Sequence, residues 1–159
     1  MREELLRLIE RNARMKSRDI AAVLGTDEES VKAEIRQLED EKIICGYHTF
    51  INWSKTGEEK ADAFIEVKVT PQRGFGFDQI AERIWQYPEV SSMFLISGNF
   101  DFAVFISGRS MREVAMFVSE KLSTIDGVLS TSTQFILKNY KDHGMVMETP
   151  GRDEREMIS

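Results

Sequence analysis

One stretch decides the fold of the N-terminal part of this chain: residues 17–38, SRDIAAVLGTDEESVKAEIRQL. Its apolar residues recur at three- and four-residue spacings, the period of an amphipathic helix, in two groups on either side of Gly25. A glycine tolerates the positive φ of a sharp turn. We therefore predict two short helices that cross at a tight turn, with Val31, Ile35 and Leu38 of the second helix facing a core.

The ends of these two helices carry candidate capping residues. Ser17 is predicted to cap the first, and Thr26 with Glu29 three residues later has the spacing of a capping box for the second. Because the helical period also runs upstream towards the N-terminus, we predict a three-helix domain over residues 1–46. Cys45, near its end, is expected to be a small buried residue.

The pattern changes after this domain. Residues 47–53 are rich in Tyr, Thr, Phe, Ile and Trp, which prefer extended structure, so we predict a connecting strand there. The polar residues 54–60, which include Gly57, predict a linker. Residues 47–60 are therefore expected to join two domains.

From residue 61 onward, strand and helix periods succeed one another. The predicted order is strand, helix, strand, strand, helix, strand, with strands over 61–69, 90–97, 102–107 and 128–137, and helices over 74–87 and from Ser110, which caps it, to about Gly127. This order is the ferredoxin-like βαββαβ arrangement. The expected fold class is α+β, with a helix-turn-helix domain, a ferredoxin-like domain over residues 61–141, and an extension over 142–159 that is mobile over Pro150–Ser159.

Composition excludes several classes of protein. The single cysteine allows no internal disulfide, and with only His48 and His143 beside it there is no metal-ligand spacing, so no metal or cofactor is expected. Apolar runs such as Phe102–Ile106 are too short to span a bilayer, and the charged start resembles no signal peptide, so we expect a cytoplasmic protein without membrane contact. No catalytic set is recognisable at a known spacing, and we expect no enzyme.

Aromatic residues are frequent in the C-terminal half. We expect them to fill the core and interfaces of a sheet covered by helices rather than to surround a cofactor. They are Phe75, Phe77, Trp85, Phe94, Phe100, Phe102, Phe105 and Phe117.

With both halves in view, the chain from Met1 to about Lys141 resembles the Lrp/AsnC family of feast/famine regulators. The resemblance is carried by Asn12–Arg14, Ile20–Gly25, Val31, Ile35, Leu38–Glu39 and Ile43–Tyr47 in the first half, and by Pro88–Val90, Ser97–Phe102 and Gly127–Thr133 in the second. It implies a homodimer built through the C-terminal sheets, often assembled further into tetramers or octamers. It also implies binding to double-stranded DNA and a response to amino acids or related metabolites.

In a helix-turn-helix the third helix enters the major groove, where side chains near its start reach base edges and nearby basic residues contact phosphates. The predicted DNA-binding residues are Arg14, Lys16, Arg18, Lys32, Ala33, Arg36 and Gln37. Residues 1–53 carry nine Lys and Arg against eleven Asp and Glu, an unusual balance for a DNA-binding domain. The alternative is that Glu28, Lys32 and Arg36 form only a solvated i,i+4 charge ladder.

The second candidate site is the hairpin connection at residues 97–101 together with the last strand. Backbone amides around Gly98 can approach a carboxylate, and Asp101 can meet an ammonium group. The predicted effector-binding residues are Ser97, Gly98, Asn99, Asp101, Thr131 and Thr133. The alternative is a well-capped hairpin in which Asp101 satisfies its own turn and β-propensity explains the threonines.

Two rival functions stay open at this point. The acidic third helix would suit a metabolite-binding assembly module whose helix-turn-helix contacts protein rather than DNA. The chain would also fit a subunit that acts only beside a more basic paralogue. Salt-dependent DNA binding would separate the first rival from the regulator, because electrostatic phosphate contacts weaken as salt rises.

Overall fold

The computed structural model describes residues 1–71, 74 and 76–147. They belong to two compact units, Met1–Phe50 and a second unit that begins at Ile51. In this part of the chain, no helix combines the length and the apolarity needed to cross a membrane. Phe75 and the end over Pro150–Ser159, about which the sequence made predictions, lie outside the described residues.

The first unit contains three helices, α1 (Arg2–Arg11), α2 (Ser17–Leu24) and α3 (Glu28–Asp40). Their apolar faces meet in one core, in which Leu5, Ile20, Ala21, Val31 and Leu38 are buried and Ile35 packs against the edge. Full burial of a leucine or isoleucine side chain stabilises a fold by about 1.5–3 kcal/mol. The predicted inward positions of α3 are therefore confirmed.

The turn between α2 and α3 depends on Gly25. Its φ is +66°, in the left-handed region that favours glycine, and its backbone N–H donates to the carbonyl of Ala21. The next residue, Thr26, also donates its N–H to Ala21, at 3.0 Å. These bonds end α2 at a tight turn, after which α3 begins, as the sequence predicts.

Of the three predicted N-caps, Ser110 is confirmed for the helix Met111–Phe117, and the two in the first unit were wrong by one residue. Lys16 occupies the N-cap of α2, and Ser17 is the first helical residue. Asp27, rather than Thr26, caps α3: its carboxylate accepts from the Ser30 N–H at 2.9 Å and from the Ser30 hydroxyl at 2.6 Å. A helix that starts one residue later puts Asp27 three residues before the free N–H, which Thr26 then cannot reach.

The segment after α3 also differs from expectation. Cys45 is exposed, with its Sγ 3.1 Å from the Lys42 carbonyl, because the apolar core closes at Ile44. Residues 47–52 do not form the predicted strand, and Trp53–Lys55 form a short 3-10 turn. A strand needs backbone hydrogen bonds to a neighbour, and no described strand pairs with this segment.

The second unit is a four-stranded antiparallel sheet with helices on one face. Its order β2-β3-β1-β4 and its element sequence confirm the ferredoxin-like βαββαβ domain. The elements are β1 (Ala61–Val69), α4 (Asp78–Trp85), β2 (Val90–Leu95), β3 (Phe102–Gly108), α5 (Met111–Phe117), which continues as a π-helical turn over Val118–Leu122, and β4 (Val128–Ile136).

The core of this unit lies between the sheet and the two helices. Alternate residues of β1, from Ala63 to Val69, are buried against Ile80 and Ile84 of α4 and Val114 of α5. The helix α5 approaches β3 closely at Gly108, where a Cβ atom would lie 2.9 Å from Val114 Cγ2. Only glycine fits this contact without displacement of the helix.

Several elements differ from the predicted boundaries: β2 ends at Leu95 rather than at residue 97, and α5 with its π-helical turn ends at Leu122, before the predicted end near Gly127. The helix α4 begins four residues later than expected, because Gly74 and Gly76 have φ of +82° and +57°, which no right-handed helix contains. After β4, a short hairpin of β5 (Lys141–Asp142) and β6 (Met145–Val146) forms in the expected extension. Its strands are only two residues long, too short to show an alternating pattern in the sequence.

Candidate functional site

The outward face of α3 presents Ala33 and Arg36 to solvent. Among the described residues, Arg36 forms no ion pair with a carboxylate. A small side chain next to an unpaired guanidinium is compatible with close approach to a DNA groove. These two members of the predicted DNA-binding set are therefore exposed on one face of α3.

Lys32, by contrast, is held by carboxylates of its own helix. Its Nζ lies 2.9 Å from Glu28 Oε1 and 3.1 Å from Glu29 Oε1. Hydrogen bonds to Glu28 and then Glu29 raise the pKa of Lys32. The Glu28–Lys32 part of the alternative charge ladder is thus present, and Arg36 does not extend it.

Two further carboxylates, one on α3 and one just after it, are ion-paired with α1. Arg2 on α1 donates to Glu34 at 2.5 Å and to the two oxygens of Glu41, just after α3, at 2.8 and 3.2 Å. Gln37 also donates its amide N–H to Glu41, at 2.7 Å, which leaves the carbonyl oxygen of Gln37 free to accept a hydrogen bond. The hydrogen bonds from Arg2 and then Gln37 lower the pKa of Glu41.

The sequence did not indicate that Arg2 pairs with carboxylates on and just after α3. Arg2 binds residues 32 and 39 positions away, and no periodicity or motif reports such a distance. Tyr47 also donates its hydroxyl to Glu39 at 2.9 Å, so three carboxylates on or just after α3 have hydrogen-bond donors. Those of Glu34 and Glu41 are paired with a cation, while the net charge of the first 53 residues is unchanged.

The three basic residues predicted to contact the DNA backbone lie around the start of α2. Arg14, Lys16 and Arg18 are all at least partly exposed. Arg14 donates its backbone N–H to Asn12 at 3.1 Å, and Arg18 makes a long contact of 3.4 Å with Asp19. Their charged groups are thus available to phosphates at low cost.

The hairpin between β2 and β3 is fastened to β1 through Asp101. The Asp101 N–H donates to Val67 at 3.0 Å, and the Asp101 carboxylate accepts from the Val69 N–H at 2.9 Å. Ser97, Gly98 and Asn99 are exposed beside it. The structure therefore brings the hairpin residues together, with one oxygen of Asp101 engaged by the backbone.

The two threonines lie on β4, across β1 from the hairpin. Thr131 pairs with Val67, the residue that also pairs with Phe102 on the other side of β1. Thr133 lies two residues farther along, opposite Ile65. Both threonines are on the helix-covered face, and the Thr131 hydroxyl lies 3.4 Å from that of Ser123. Thr131 thus lies closer than Thr133 to the end of β1 that Asp101 contacts.

Two cavities of about 480 and 390 Å³ lie in the described part of the second unit. Neither is lined by the hairpin residues 97–101, by Thr131 or by Thr133. The hairpin site within one chain is therefore a surface feature. In the described ranges, no group of three His, Cys, Asp or Glu side chains is arranged to hold a metal ion.

The open face of the sheet carries an aromatic cluster. The ring of Phe64 lies 5.2 Å from that of Phe105 and 5.9 Å from that of Phe100, and Phe94 lies 6.2 Å from Phe105. The helices α4 and α5 pack on the opposite face of the sheet, and Phe94 is 55% exposed. Clustered exposed aromatic rings are typical of an interface.

Comparison with known families and proteins gives a consistent result. Residues 62–146 match the sequence profile described as the Lrp/AsnC ligand binding domain. The chain is 48% identical, over 98% of its length and 95% of the relative's, to YugG of Bacillus subtilis, an uncharacterized HTH-type transcriptional regulator. It is 31% identical to a second such regulator, PH0140 of Pyrococcus horikoshii, over 88% of this chain and 85% of that protein.

Solved structures share the fold at lower identity. The NMB0573/L-Met complex from Neisseria meningitidis superposes with a TM-score of 0.69 at 22% identity, covering 89% of this chain and 90% of that one. AsnC of E. coli superposes with a TM-score of 0.64 at 20% identity, covering 87% and 91%. At these identities the likeness concerns the fold.

Proposed function

The chain belongs to the Lrp/AsnC family of helix-turn-helix transcriptional regulators, and on that premise we propose how it contacts DNA and effector. Residues 1–46 read double-stranded DNA, and residues 61–141 bind an amino acid or a related small metabolite and join copies of the chain. Because its target is the chromosome, the protein works in the cytoplasm.

The outward face of α3 enters the major groove. Ala33 leaves room for the approach, Arg36 reaches a guanine edge or a phosphate, and Gln37 offers its carbonyl oxygen. Lys32 also contacts the DNA, when a phosphate competes with Glu28 and Glu29 for its ammonium group. Arg14, Lys16 and Arg18 hold the DNA backbone beside α2.

The observation that supports this proposal is the exposed Arg36, which forms no ion pair with a described carboxylate, while Glu34, Glu39 and Glu41 are hydrogen-bonded to Arg2 or Tyr47. Fluorescence anisotropy with a labelled fragment from upstream of the chain's own gene tests it. We expect binding that weakens linearly on a log–log plot against salt, with a slope of about −0.9 for each phosphate contacted. Absence of binding at low salt would contradict the proposal.

The effector site is built around the hairpin. The backbone at Ser97, Gly98 and Asn99 contacts the carboxylate of the effector, and the free oxygen of Asp101 contacts its ammonium group. Thr131 and Thr133 contribute hydroxyls. Support comes from the matched ligand-binding profile and from the L-Met complex formed by one structural neighbour. Because the hairpin is a surface feature in one chain, a neighbouring copy completes the site.

Calorimetric titration of the full chain with the twenty amino acids and common 2-oxo acids tests this site. We expect saturable heat for at least one compound, and a clearly smaller heat for that compound in Asp101→Ala. If the heat of binding is unchanged in Asp101→Ala, or if no compound gives heat, the hairpin is not the effector site.

The aromatic cluster on the open sheet face joins two copies. Face-to-face packing would bury Phe64, Phe94 and Phe105, and a twofold axis makes the patch self-complementary. Dimers assemble further into tetramers or octamers. Sedimentation velocity should show a dimer or a multiple of it, and Phe94→Ser should shift the distribution towards monomer. A monomeric wild-type chain at micromolar concentration would contradict this.

One observation favours a second function, an assembly module whose helix-turn-helix contacts protein. Lys32 is committed to Glu28 and Glu29, which leaves α3 with few free cations. A protein-contacting helix would show no salt-dependent DNA binding. The anisotropy series therefore decides between the two functions.

A further inference from the structure

The larger cavity of the second unit lies far from the hairpin. It has a volume of about 480 Å³ and opens where β1 begins and β4 ends. Small-molecule sites commonly have volumes of about 300–1,000 Å³. Its lining includes Trp53, Glu58, Glu59, Lys60, Arg109 and Met111.

The walls of this cavity are tied together by hydrogen bonds between distant parts of the chain. The Asn52 side chain donates to the Met147 carbonyl at 2.6 Å and is itself bonded to the Ser54 hydroxyl at 2.5 Å. Met147 in turn donates its N–H to Tyr140 at 2.8 Å. The segment before β1 and the end of the β5–β6 hairpin therefore form one wall.

Charged groups of both signs line the cavity, and four of them, Glu58, Glu59, Lys60 and Arg109, form no ion pair with another residue in the described part of the chain. The ammonium group of Lys60 lies 3.6 Å from the centre of the Trp53 ring, and neither this group nor the guanidinium of Arg109 forms an ion pair with a described carboxylate, although the Arg109 backbone N–H donates to Glu113 at 3.0 Å. Glu58 and Glu59 form no ion pair with a described cation either. Asp62 is already occupied by the Ser107 hydroxyl.

Apolar side chains share the cavity with these charges. Ile51, Met111 and Ile136 are 43%, 54% and 42% exposed there. Exposed apolar surface gains about 25 cal/mol per Å² when a ligand covers it. The cavity thus offers cations for a carboxylate, acids for an ammonium group and an apolar surface for the rest of the molecule.

We propose that this cavity is a second small-molecule site, which binds a small carboxylate with an apolar body. Arg109 and Lys60 hold the carboxylate, Trp53 and Met111 cover the apolar part, and Glu58 or Glu59 binds an ammonium group if the ligand is an amino acid. The site is separate from the hairpin, because β1 runs nine residues between them, roughly 27 Å at the rise of a strand.

The chain contains its own reporter for this site. It has two tryptophans, of which Trp53 lines the cavity and Trp85 lies on α4 outside it. The variant Trp85→Phe therefore reports Trp53 alone. We would titrate it with each of the twenty amino acids and with the matching 2-oxo acids, which lack the ammonium group, and follow Trp53 emission.

We expect a saturable change with compounds that carry an apolar side chain. Adding Arg109→Met should weaken that binding at least about 10-fold, since a charge-assisted hydrogen bond is lost. The control Arg112→Met, an exposed arginine on α5 outside the cavity, should leave the affinity unchanged. If 2-oxo acids bind as well as amino acids, Glu58 and Glu59 take no part.

Asp101→Asn in the same background separates this site from the proposed effector site. It should leave the Trp53 titration intact, whatever it does to calorimetric heat. The proposal is overturned if no compound changes Trp53 emission at millimolar concentration, or if Asp101→Asn abolishes the change while Arg109→Met does not. It is also overturned if Trp53 emission depends on protein concentration without ligand, since a second copy of the chain would then fill the cavity.

Discussion

The carboxylate of Asp101 accepts a hydrogen bond from the backbone N–H of Val69, with an N···Oδ2 distance of 2.9 Å. The bond fastens the β2–β3 hairpin to the end of β1. It uses one oxygen of a side chain that the proposed effector site also uses, so a single residue serves both structure and binding. The two roles can be separated by the choice of substitution.

Asp101→Ala should destabilise the second unit by about 1–3 kcal/mol, because it leaves the Val69 N–H without its acceptor. Asp101→Asn keeps an acceptor oxygen and should cost much less, while it still removes the charge that meets an ammonium group. Urea denaturation measures the first effect, and calorimetry measures the second. Equal stability loss in both variants would show that the hydrogen bond to Val69 is not what matters.

The observed cap of α3 can be tested against the predicted one. Asp27→Ala removes the acceptor for the Ser30 N–H and should lower the melting temperature of the first unit by a few degrees. Thr26→Ala, at the position that the sequence favoured, should leave it unchanged. A larger loss of melting temperature in Thr26→Ala than in Asp27→Ala would instead support the predicted capping box of Thr26 and Glu29.

The first unit should lose stability in acid. Hydrogen bonds from Ser30 lower the pKa of Asp27, and hydrogen bonds from Arg2 and Gln37 lower that of Glu41. A carboxyl with a lowered pKa in the folded state stabilises the fold above its unfolded pKa, here ordinarily 3.8 and 4.5, and this contribution is lost as the pH falls through the folded pKa. Melting followed by circular dichroism from pH 6 to pH 2 should show the decline below about pH 4.5, and it should be smaller in Glu41→Gln.

Gly108→Ala should destabilise the second unit by about 1–3 kcal/mol, because the new methyl group would lie 2.9 Å from Val114 Cγ2 and force α5 away from β3. Gly98→Ala is the matched control, since a Cβ there meets its nearest neighbour at 3.7 Å. Chemical denaturation of the two variants gives the comparison. A neutral Gly108→Ala would mean that α5 shifts without cost.

The double variant Glu28→Gln, Glu29→Gln should raise DNA affinity by about threefold to tenfold at low salt, because Lys32 is released and two charges that repel phosphate are removed. Its salt dependence should also steepen by about one phosphate contact. Glu10→Gln, an acid on α1, is the control for net charge alone. Unchanged affinity in the double variant would place Lys32 outside the DNA interface.

Element order could be predicted because it depends on local periodicity. The strand over residues 61–69 was predicted with the bounds that the structure has, and so was the turn at Gly25. Predictions failed where the extent of an element depends on something other than its own apolar spacing. The strand over residues 47–53 needs a pairing partner, and the start of α4 depends on the backbone at Gly74 and Gly76 rather than on apolar spacing.

The candidate sites divide in the same way. The sequence identified Arg36 and the hairpin around Asp101 from residue type and position. It gave no sign that Arg2 binds Glu34 and Glu41, or that Trp53, Lys60 and Arg109 line one cavity. These residues are tens of positions apart, so no local pattern relates them.

The amino-acid sequence by itself determined the helix-turn-helix, the βαββαβ order and the side chains available for binding, because apolar spacing and turn residues act over a few positions. Only the tertiary structure decided which charges are free. Ion pairs and hydrogen bonds such as Arg2–Glu41 and Asp101–Val69 form between residues that packing brings within 3 Å. That packing brings Glu34 and Glu41 to Arg2, whereas the pair between Lys32 and Glu28, four residues apart on α3, is local to the helix.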